Sequence, residues 1–307
     1  MLDAARRFFA GRTVLEVDTP LLSRTTVSDP HVESIRAAPR LKPGEPYFLQ
    51  TSPEYFMKRL LCAGYPDIFQ ICKAFRDGES GRRHSPEFTL IEWYRRGFGL
   101  QQMMQETVDL LTALIEPRFI ELTPRFVEYR TAFEEAAGVD PEQSTIAALA
   151  NAAGADERML ASLGQQRDAW LDLVLSARVA PQFDGGRLTV LYHYPASQSA
   201  LARLCPANAN VADRFEVFFG ELELANGYVE LQDADLQLRR FEADQALRLT
   251  RALPIRPLDR RLIAALRSGL PGCAGVAVGF DRLLMLNEMA EDIRRVQTFV
   301  FNEDDDA

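Results

Sequence analysis

Between Ile68 and Arg96 the chain runs IFQICKAFRDGESGRRHSPEFTLIEWYRR, two β-prone stretches joined by a basic loop that contains Gly78 and Gly81. The first stretch delivers Arg76 to the mouth of the loop, which adds Arg82, Arg83 and His84. Side chains alternate between the faces of a strand, so Phe88, Leu90, Glu92 and Tyr94 share one face of the second stretch. An aromatic ring, a carboxylate and a phenol are thereby set on one surface beside several cations. That combination suits a site holding a phosphate, a flat ring and an ammonium together. A surface hairpin with a solvated basic tip is the simpler alternative, and two details oppose it. Glu92 is embedded in an apolar run, where a carboxylate needs a partner, and the cations concentrate in a chain that is acidic overall.

The net charge of −9 and the pI of about 5.1 argue against a protein whose main task is gripping nucleic-acid backbone. They leave room for a local basic patch. With 307 residues, 47% of them hydrophobic, the chain can build one large domain or two small ones. Cys62, Cys72, Cys205 and Cys273 form no CxxC pair, and there is neither a signal peptide nor a long apolar run. They read as reduced thiols of a cytoplasmic protein. Several common chemistries are missing. No GxxxxGK[ST] loop occurs, and the glycines of Gly275–Gly279 are wrongly spaced for a dinucleotide fingerprint. HExxH is absent, and His31, His84 and His193 stand alone in the sequence. Ser197 lacks the GxSxG elbow of a serine hydrolase.

Periodicity predicts an amphipathic helix over 2–12, a strand over Val14–Pro20, and a helix over Ser52–Cys62 with Ser52 as N-cap and Pro53 in the first turn. A helix over 101–116 follows. The Ala-rich stretch 131–180 is read as a helical insertion, with Trp170, Leu171, Val174 and Leu175 on its apolar stripe. Strands are predicted at 188–194 and 214–231, helices at 233–252 and 259–268, and a strand-to-helix turn at GCAGVAVGFDRLLMLNEM. The tail Glu303–Asp306 reads as solvated charge. Strands and helices do not alternate as βαβ, so the expected class is α+β, an antiparallel sheet flanked by helices.

A second chemical cluster lies in RFEVFFGELELANGYVELQD. Glu216 and Glu223 flank a turn at Gly220 and can converge across it. Two carboxylates together with phosphate oxygens make a Mg²⁺ site, since that ion prefers hard oxygen ligands. Asn226, Tyr228 and Glu230 alternate along one wall, and Glu230 suits the cationic end of a substrate. Near the C-terminus Gly279 permits close backbone approach to a ligand. Arg282 stands in a first helical turn, against the helix dipole, which points to a recruited role.

These segments resemble the catalytic domain of a class II lysyl-tRNA synthetase. More narrowly, they are similar to the free-standing paralogues that ligate (R)-β-lysine to elongation factor P. VLEVDTP resembles the family's first motif, FRDGESGRRHSPEF its second and GVAVGFDR its third. TSPEYFMKRLL, IEWY, YPASQSALA and DRFEVFFGELELANG point to the lysine-type branch. The resemblance implies a class II aminoacyl-tRNA synthetase catalytic fold over 1–307 as a single domain, with 131–180 an insertion and no anticodon-binding OB domain. It implies an ATP-dependent, AMP-forming ligase that uses ATP and Mg²⁺. Its amino acid would be of the lysine type and its protein acceptor elongation factor P. The enzyme would be a cytoplasmic homodimer through the VLEVDTP strand, without stable tRNA binding. A small tRNA-charging enzyme and a non-catalytic regulatory paralogue are the alternatives.

By matching position, Arg76 would contact the substrate carboxylate and the ATP α-phosphate, while Arg83 and His84 would meet the distal phosphates. Phe88 and Arg282 would sandwich the adenine, with Arg76 and Arg282 catalytic. Asp77, Gly78, Glu79, Ser85, Leu224 and Gly279 fall along the ATP site. Ser52, Pro53 and Glu54 would line the amino-acid pocket, Glu54 taking one amine. Tyr94 and Glu230 would hold the other amine, supported by Glu92 and Asn226, and Glu216 and Glu223 would hold Mg²⁺. Three positions depart from the pattern. Gly78 stands where the second motif usually has Glu, so an adenine-amine contact would fall to Glu79. Ser85 stands where lysine-type relatives commonly have Asn. Ala277 replaces the Gly of lysyl-tRNA synthetases and agrees with the β-lysine paralogues.

Overall fold

The basic hairpin forms as the sequence predicts. Strands Ile68–Phe75 and Glu87–Arg96 pair antiparallel, with Ile68 opposite Tyr94 and Phe75 opposite Glu87. The computed structural model describes residues 1–40, 44–119 and 123–300, and the acidic run Glu303–Asp306 lies outside the described residues. The chain divides into two units. One comprises Met1–Gly97 with the chain from Leu231 onward, and the other Phe98–Glu230.

In the first unit, Cys273–Gly279 adds antiparallel to Glu87–Arg96, setting Ala277 opposite Glu92 and Gly279 opposite Leu90. On the other side Leu15–Glu16 pairs parallel with Ile68–Phe75. The predicted strand over Val14–Pro20 is thus only two residues long. Its pairing stops where Thr19 instead donates its hydroxyl to Gln70 Oε1 (2.9 Å) and Pro20, which has no N–H, cannot continue a ladder. Helix Leu2–Ala10 buries Ala5 and Phe9, and the Phe9 ring stacks on Phe69 at 4.3 Å and tilts against Trp93 at 5.3 Å. Helix Glu54–Cys62 starts two residues after the predicted cap, yet Ser52 still serves its N-terminus, its Oγ accepting from the Glu54 N–H (3.0 Å). Asp233 and Asp259 cap Ala234–Thr250 and Arg260–Gly269 by accepting first-turn backbone N–H groups.

A buried ionic knot ties this unit together. Arg248, fully buried on helix Ala234–Thr250, donates to the Glu33 carboxylate, to Pro254 O (2.7 Å) and to Asp29 O (3.0 Å). Arg256 joins the same carboxylate, and the Glu33 carbonyl accepts from the Asp77 N–H (2.9 Å), next to Arg76. Arg248→Leu is expected to cost about 3–5 kcal/mol, the range for breaking a buried ion pair from one side. Urea unfolding of the two proteins measures it, and a loss below about 1 kcal/mol would mean that Arg256 alone satisfies Glu33.

The second unit builds on four strands. Arg125–Glu128 runs parallel to Leu188–Tyr192, which pairs antiparallel with Arg214–Phe219, and that strand pairs antiparallel with Leu222–Val229. The β segment predicted over 214–231 is a hairpin whose turn lies at Gly220 as expected, in the left-handed region (φ 53°) that glycine adopts readily. The Ala-rich stretch forms helices Tyr129–Ala137, Ile146–Ala153, Glu157–Leu163 and Arg167–Val174, followed by a widened turn Leu175–Val179. Phe133, Leu149, Trp170, Leu171 and Val174 are its fully buried core. Trp170 is also anchored through its indole N–H to Gly164 O (3.0 Å).

Candidate active site

On the face predicted for the hairpin, Leu90, Glu92 and Tyr94 are buried. Glu92, only 2% exposed, accepts from the Ser52 hydroxyl (2.9 Å) and the Tyr94 hydroxyl (2.8 Å). Burial, and next the charge of Glu54, push its carboxyl up to about 8, against the pull of those two donors and Lys58. Directly opposed residues of an antiparallel pair share a face, so the Ala277 methyl lies beside Glu92. Glu54 is matched by Lys58, one helical turn on, with Nζ to Oε1 at 2.6 Å and the lysine buried. A narrow cavity of about 30 Å³ opens there, lined by residues that include Gln50, Ser52, Glu54 and Asp259.

The Glu92 proton has a thermodynamic consequence. Between the ordinary carboxylate range and about pH 8 the folded protein keeps a proton that the unfolded chain has lost. Its contribution to stability is therefore complete at low pH and declines as pH rises towards 8, by up to about 1.4 kcal/mol per pH unit. Glu92→Gln, which mimics the protonated acid, should remove that slope. Unfolding free energies from urea titrations at several pH values between 5 and 8 test it, and equal slopes in both proteins would refute it.

Across the loop, the backbone N–H of Arg76 bonds to Pro86 O (2.9 Å). Its guanidinium lies over the Phe88 ring, 5.1 Å from the centroid, and 3.7 Å from Glu79. Arg76 Nε is buried and meets no hydrogen-bond partner among the described residues. Gly78 takes a left-handed φ of 76°. The turn favours glycine there, which accounts for the displaced acid and leaves Glu79 to reach back to Arg76. Gly81 and His84 close the tip by exchanging backbone hydrogen bonds of 3.1 and 3.3 Å, and Ser85 is buried.

Helix Phe280–Asn287 is pinned to the hairpin by Asp281, whose carboxylate accepts from the Thr89 N–H (2.5 Å). Arg282 then lies along the loop, donating to Arg83 O (3.3 Å) and to His84 Nε2 (2.8 Å). A guanidinium only donates, so His84 Nε2 is the acceptor in this contact. Gly279 has an ordinary backbone conformation (φ −73°). A Cβ added there would rest against the Arg282 side chain at 3.6 Å.

In the second unit, Glu216 is buried, and each of its oxygens has a donor. Arg214 Nη2 lies at 2.6 Å from one and the Tyr194 hydroxyl at 2.6 Å from the other. Its carboxyl is pushed up to about 7 by burial, opposed by Arg214 and reinforced by the charge of Glu223. Glu223 stands opposite Phe218 on the neighbouring strand, two residues along from Glu216. Arg214 also donates to Gln198 O (2.6 Å) and to Asn226 Oδ1 (3.4 Å). Leu224 and Glu230 are buried and Asn226 half-buried.

Sequence reasoning missed Lys58, Arg214 and Tyr194. Lys58 carries the i, i+4 spacing that pairs charges on a helix, and Arg214 precedes Glu216 by the strand period of two. Tyr194 stands in YPASQS, where only Ser197 was weighed for chemistry.

The residues 1–303 match the family described as tRNA synthetases class II (D, K and N). The chain belongs to that family. It is 43% identical over 298 residues to a protein of Klebsiella pneumoniae subsp. pneumoniae named elongation factor P–(R)-β-lysine ligase, covering 96% of this chain and 90% of that one. Proteins of the same name from Mannheimia succiniciproducens and Yersinia pestis are 44% and 43% identical over 300 and 301 residues, in each case covering 97% of this chain and 91% of the relative. The α+β fold expected from the sequence is that of the family, but each unit's strands are mixed rather than purely antiparallel, because Leu15–Glu16 pairs parallel in the first and Arg125–Glu128 in the second. Among the described residues no helix is long and apolar enough to cross a membrane, and all four cysteines are free.

Proposed function

We propose that the chain is an ATP-dependent ligase that activates a lysine-type amino acid, (R)-β-lysine by preference, as its adenylate and transfers it to a lysine side chain of elongation factor P. The observation that carries this reading is Arg76. A guanidinium held over an aromatic ring with a buried, unmatched N–H is prepared for an anion beside a flat ring. Its surroundings, with Arg83 and His84 on the same loop and Arg282 lying against that loop, suit ATP. Family membership and three relatives bearing one enzyme name support the same chemistry.

The substrate carboxylate, already a nucleophile at neutral pH, attacks the α-phosphorus in line and pyrophosphate departs. Arg76 orients both reactants and offsets charge on the phosphoryl oxygens, and Arg282 with Phe88 holds the adenine. Ser52, Glu54, Glu92 and Tyr94 receive the amino-acid end. Asn226 and Glu230 of the second unit take the roles given to them by resemblance. The Glu216 and Glu223 carboxylates are a hard-oxygen donor set with two crowded negative charges, which fits Mg²⁺. When bound, Mg²⁺ neutralises phosphate charge. An acceptor lysine amine then attacks the mixed anhydride, forming an amide and releasing AMP. The protein works in the cytoplasm as a homodimer through the segment around Leu15, itself an exposed apolar residue. Sedimentation at micromolar concentration would show monomer alone if that is wrong.

ATP–pyrophosphate exchange is the direct test. It should respond to β-lysine and lysine and not to leucine or aspartate, and label from the activated amino acid should pass to elongation factor P. Exchange with a monoamino acid as best substrate would refute the lysine-type reading. Stable charging of bulk tRNA without labelling of the protein would replace the acceptor.

A further inference from the structure

The second unit brings together three side chains that the sequence keeps apart. We propose that His193, Cys205 and Asp213 bind a Zn²⁺-type transition-metal ion. One ligand atom from each lies within 4.8 Å of the others, and His193 Nε2 is 3.8 Å from Asp213 Oδ1. That is too long for a hydrogen bond. Ligand atoms on a tetrahedral ion at usual metal distances stand about 3.4–3.6 Å apart, so closing the site requires shifts of a few tenths of an ångström to about 1 Å.

The surroundings orient each ligand. His193 Nδ1 faces Glu128 Oε1 at 3.3 Å, which places the proton on Nδ1 and leaves the Nε2 lone pair towards the cluster. A carboxylate behind a histidine is the usual support of a metal-bound imidazole. Asp213, with a buried side chain, accepts from Arg203 Nε through Oδ2 at 2.7 Å, leaving Oδ1 for the ion. The backbone holds the set in place. His193 N–H bonds to Arg214 O (3.0 Å) and Asp213 N–H to Arg203 O (3.0 Å). His193 itself adopts a left-handed φ of 61°, ending strand Leu188–Tyr192 two residues before its predicted limit.

A thiolate and an imidazole select Zn²⁺ or Co²⁺ over Mg²⁺ or Ca²⁺. Binding displaces the Cys205 thiol proton to solvent. The neutral imidazole, the thiolate and the carboxylate then balance the two positive charges of the ion, and Arg203 adds one beside it. Three protein ligands leave a fourth position. A groove of about 690 Å³, lined by all three ligands together with Leu100, Gln102 and Tyr192, gives that position access to water or a small anion. Asp213 is held by Arg203, whereas Glu216 is held by Arg214 and Tyr194, so this ion is distinct from the Mg²⁺ of the carboxylate pair.

The test uses the full-length protein, reduced and freed of metal by a chelator. Titration with Co²⁺ should produce a thiolate-to-cobalt charge-transfer band with tetrahedral ligand-field bands, saturating at one equivalent. After equilibration with one equivalent of Zn²⁺ and gel filtration, elemental analysis should find the ion retained. Cys205→Ser should abolish the charge-transfer band, and His193→Gln should weaken binding at least about tenfold. Cys62→Ser should change nothing. Zn²⁺ should raise the unfolding temperature of the parent and not of Cys205→Ser. Absence of the band in the parent overturns the proposal without recourse to any variant. So does an unchanged band or an equal Zn²⁺ content in Cys205→Ser, which would assign the metal to other groups.

Discussion

Arg76→Ala is expected to lower kcat/KM for adenylate formation about 10²–10³-fold or more while leaving the protein as stable as before, or slightly more so. The first half follows from position. The guanidinium would meet both the attacking carboxylate and the phosphoryl oxygens, and loss of one preorganised donor at such a centre commonly costs about that much. The second half follows from Arg76 Nε, which is buried without a partner. An unsatisfied buried donor costs about 1–3 kcal/mol, so its removal relieves the folded state and offsets the loss of the weak 3.7 Å contact to Glu79 and of the packing over the Phe88 ring. Arg76→Lys keeps the charge but not the planar fork and should recover little activity. Pyrophosphate exchange and thermal unfolding on the same samples measure both halves. Activity within tenfold of the parent would remove Arg76 from the reaction. Clear destabilisation would make it a structural residue instead.

The contrast between Arg76 and Arg248 shows which part of this protein its sequence discloses. The Phe88–Tyr94 face was legible because strand periodicity is local, and because an acid inside an apolar run is improbable without a reason. The hairpin register needed only short-range geometry. Arg248 and Glu33 are 215 positions apart, and nothing near either one predicts the other. The same limit hid the cluster at His193, since a histidine solitary in sequence gains Cys205 and Asp213 only through pairing of strands. Tertiary contacts also shortened the predicted strand at Val14–Pro20, whose β-prone residues have a partner strand for just two of their positions. Glu54 was legible as an acid at a helix start. Its neutralisation by Lys58 was not foreseen, so under the proposed role any amine at Glu54 would share that carboxylate with a resident cation.

Glu223→Gln should raise the Mg²⁺ concentration for half-maximal pyrophosphate exchange at least about tenfold, and lower kcat, without weakening the fold. The choice between the two acids is decided by their partners. Glu216 is the buried counter-charge of Arg214 and accepts from Tyr194. Its removal would strand a buried guanidinium at a cost of about 3–5 kcal/mol, and any loss of activity could then be blamed on structure. Glu223 repels Glu216 and attracts Arg214, so the two effects of its charge oppose each other, and its neutral amide keeps nearly the same volume. A carboxylate ligand contributes charge as well as an oxygen, and Mg²⁺ at an amide oxygen loses the larger share of that attraction. The variant should therefore regain part of its rate at high Mg²⁺, which a defect in ATP or amino-acid binding alone would not do. Exchange rates across a Mg²⁺ series at saturating ATP, with urea unfolding as the control, separate these outcomes. An unchanged Mg²⁺ dependence would mean that the ion, where it is needed, is held by the phosphates and by residues other than this pair.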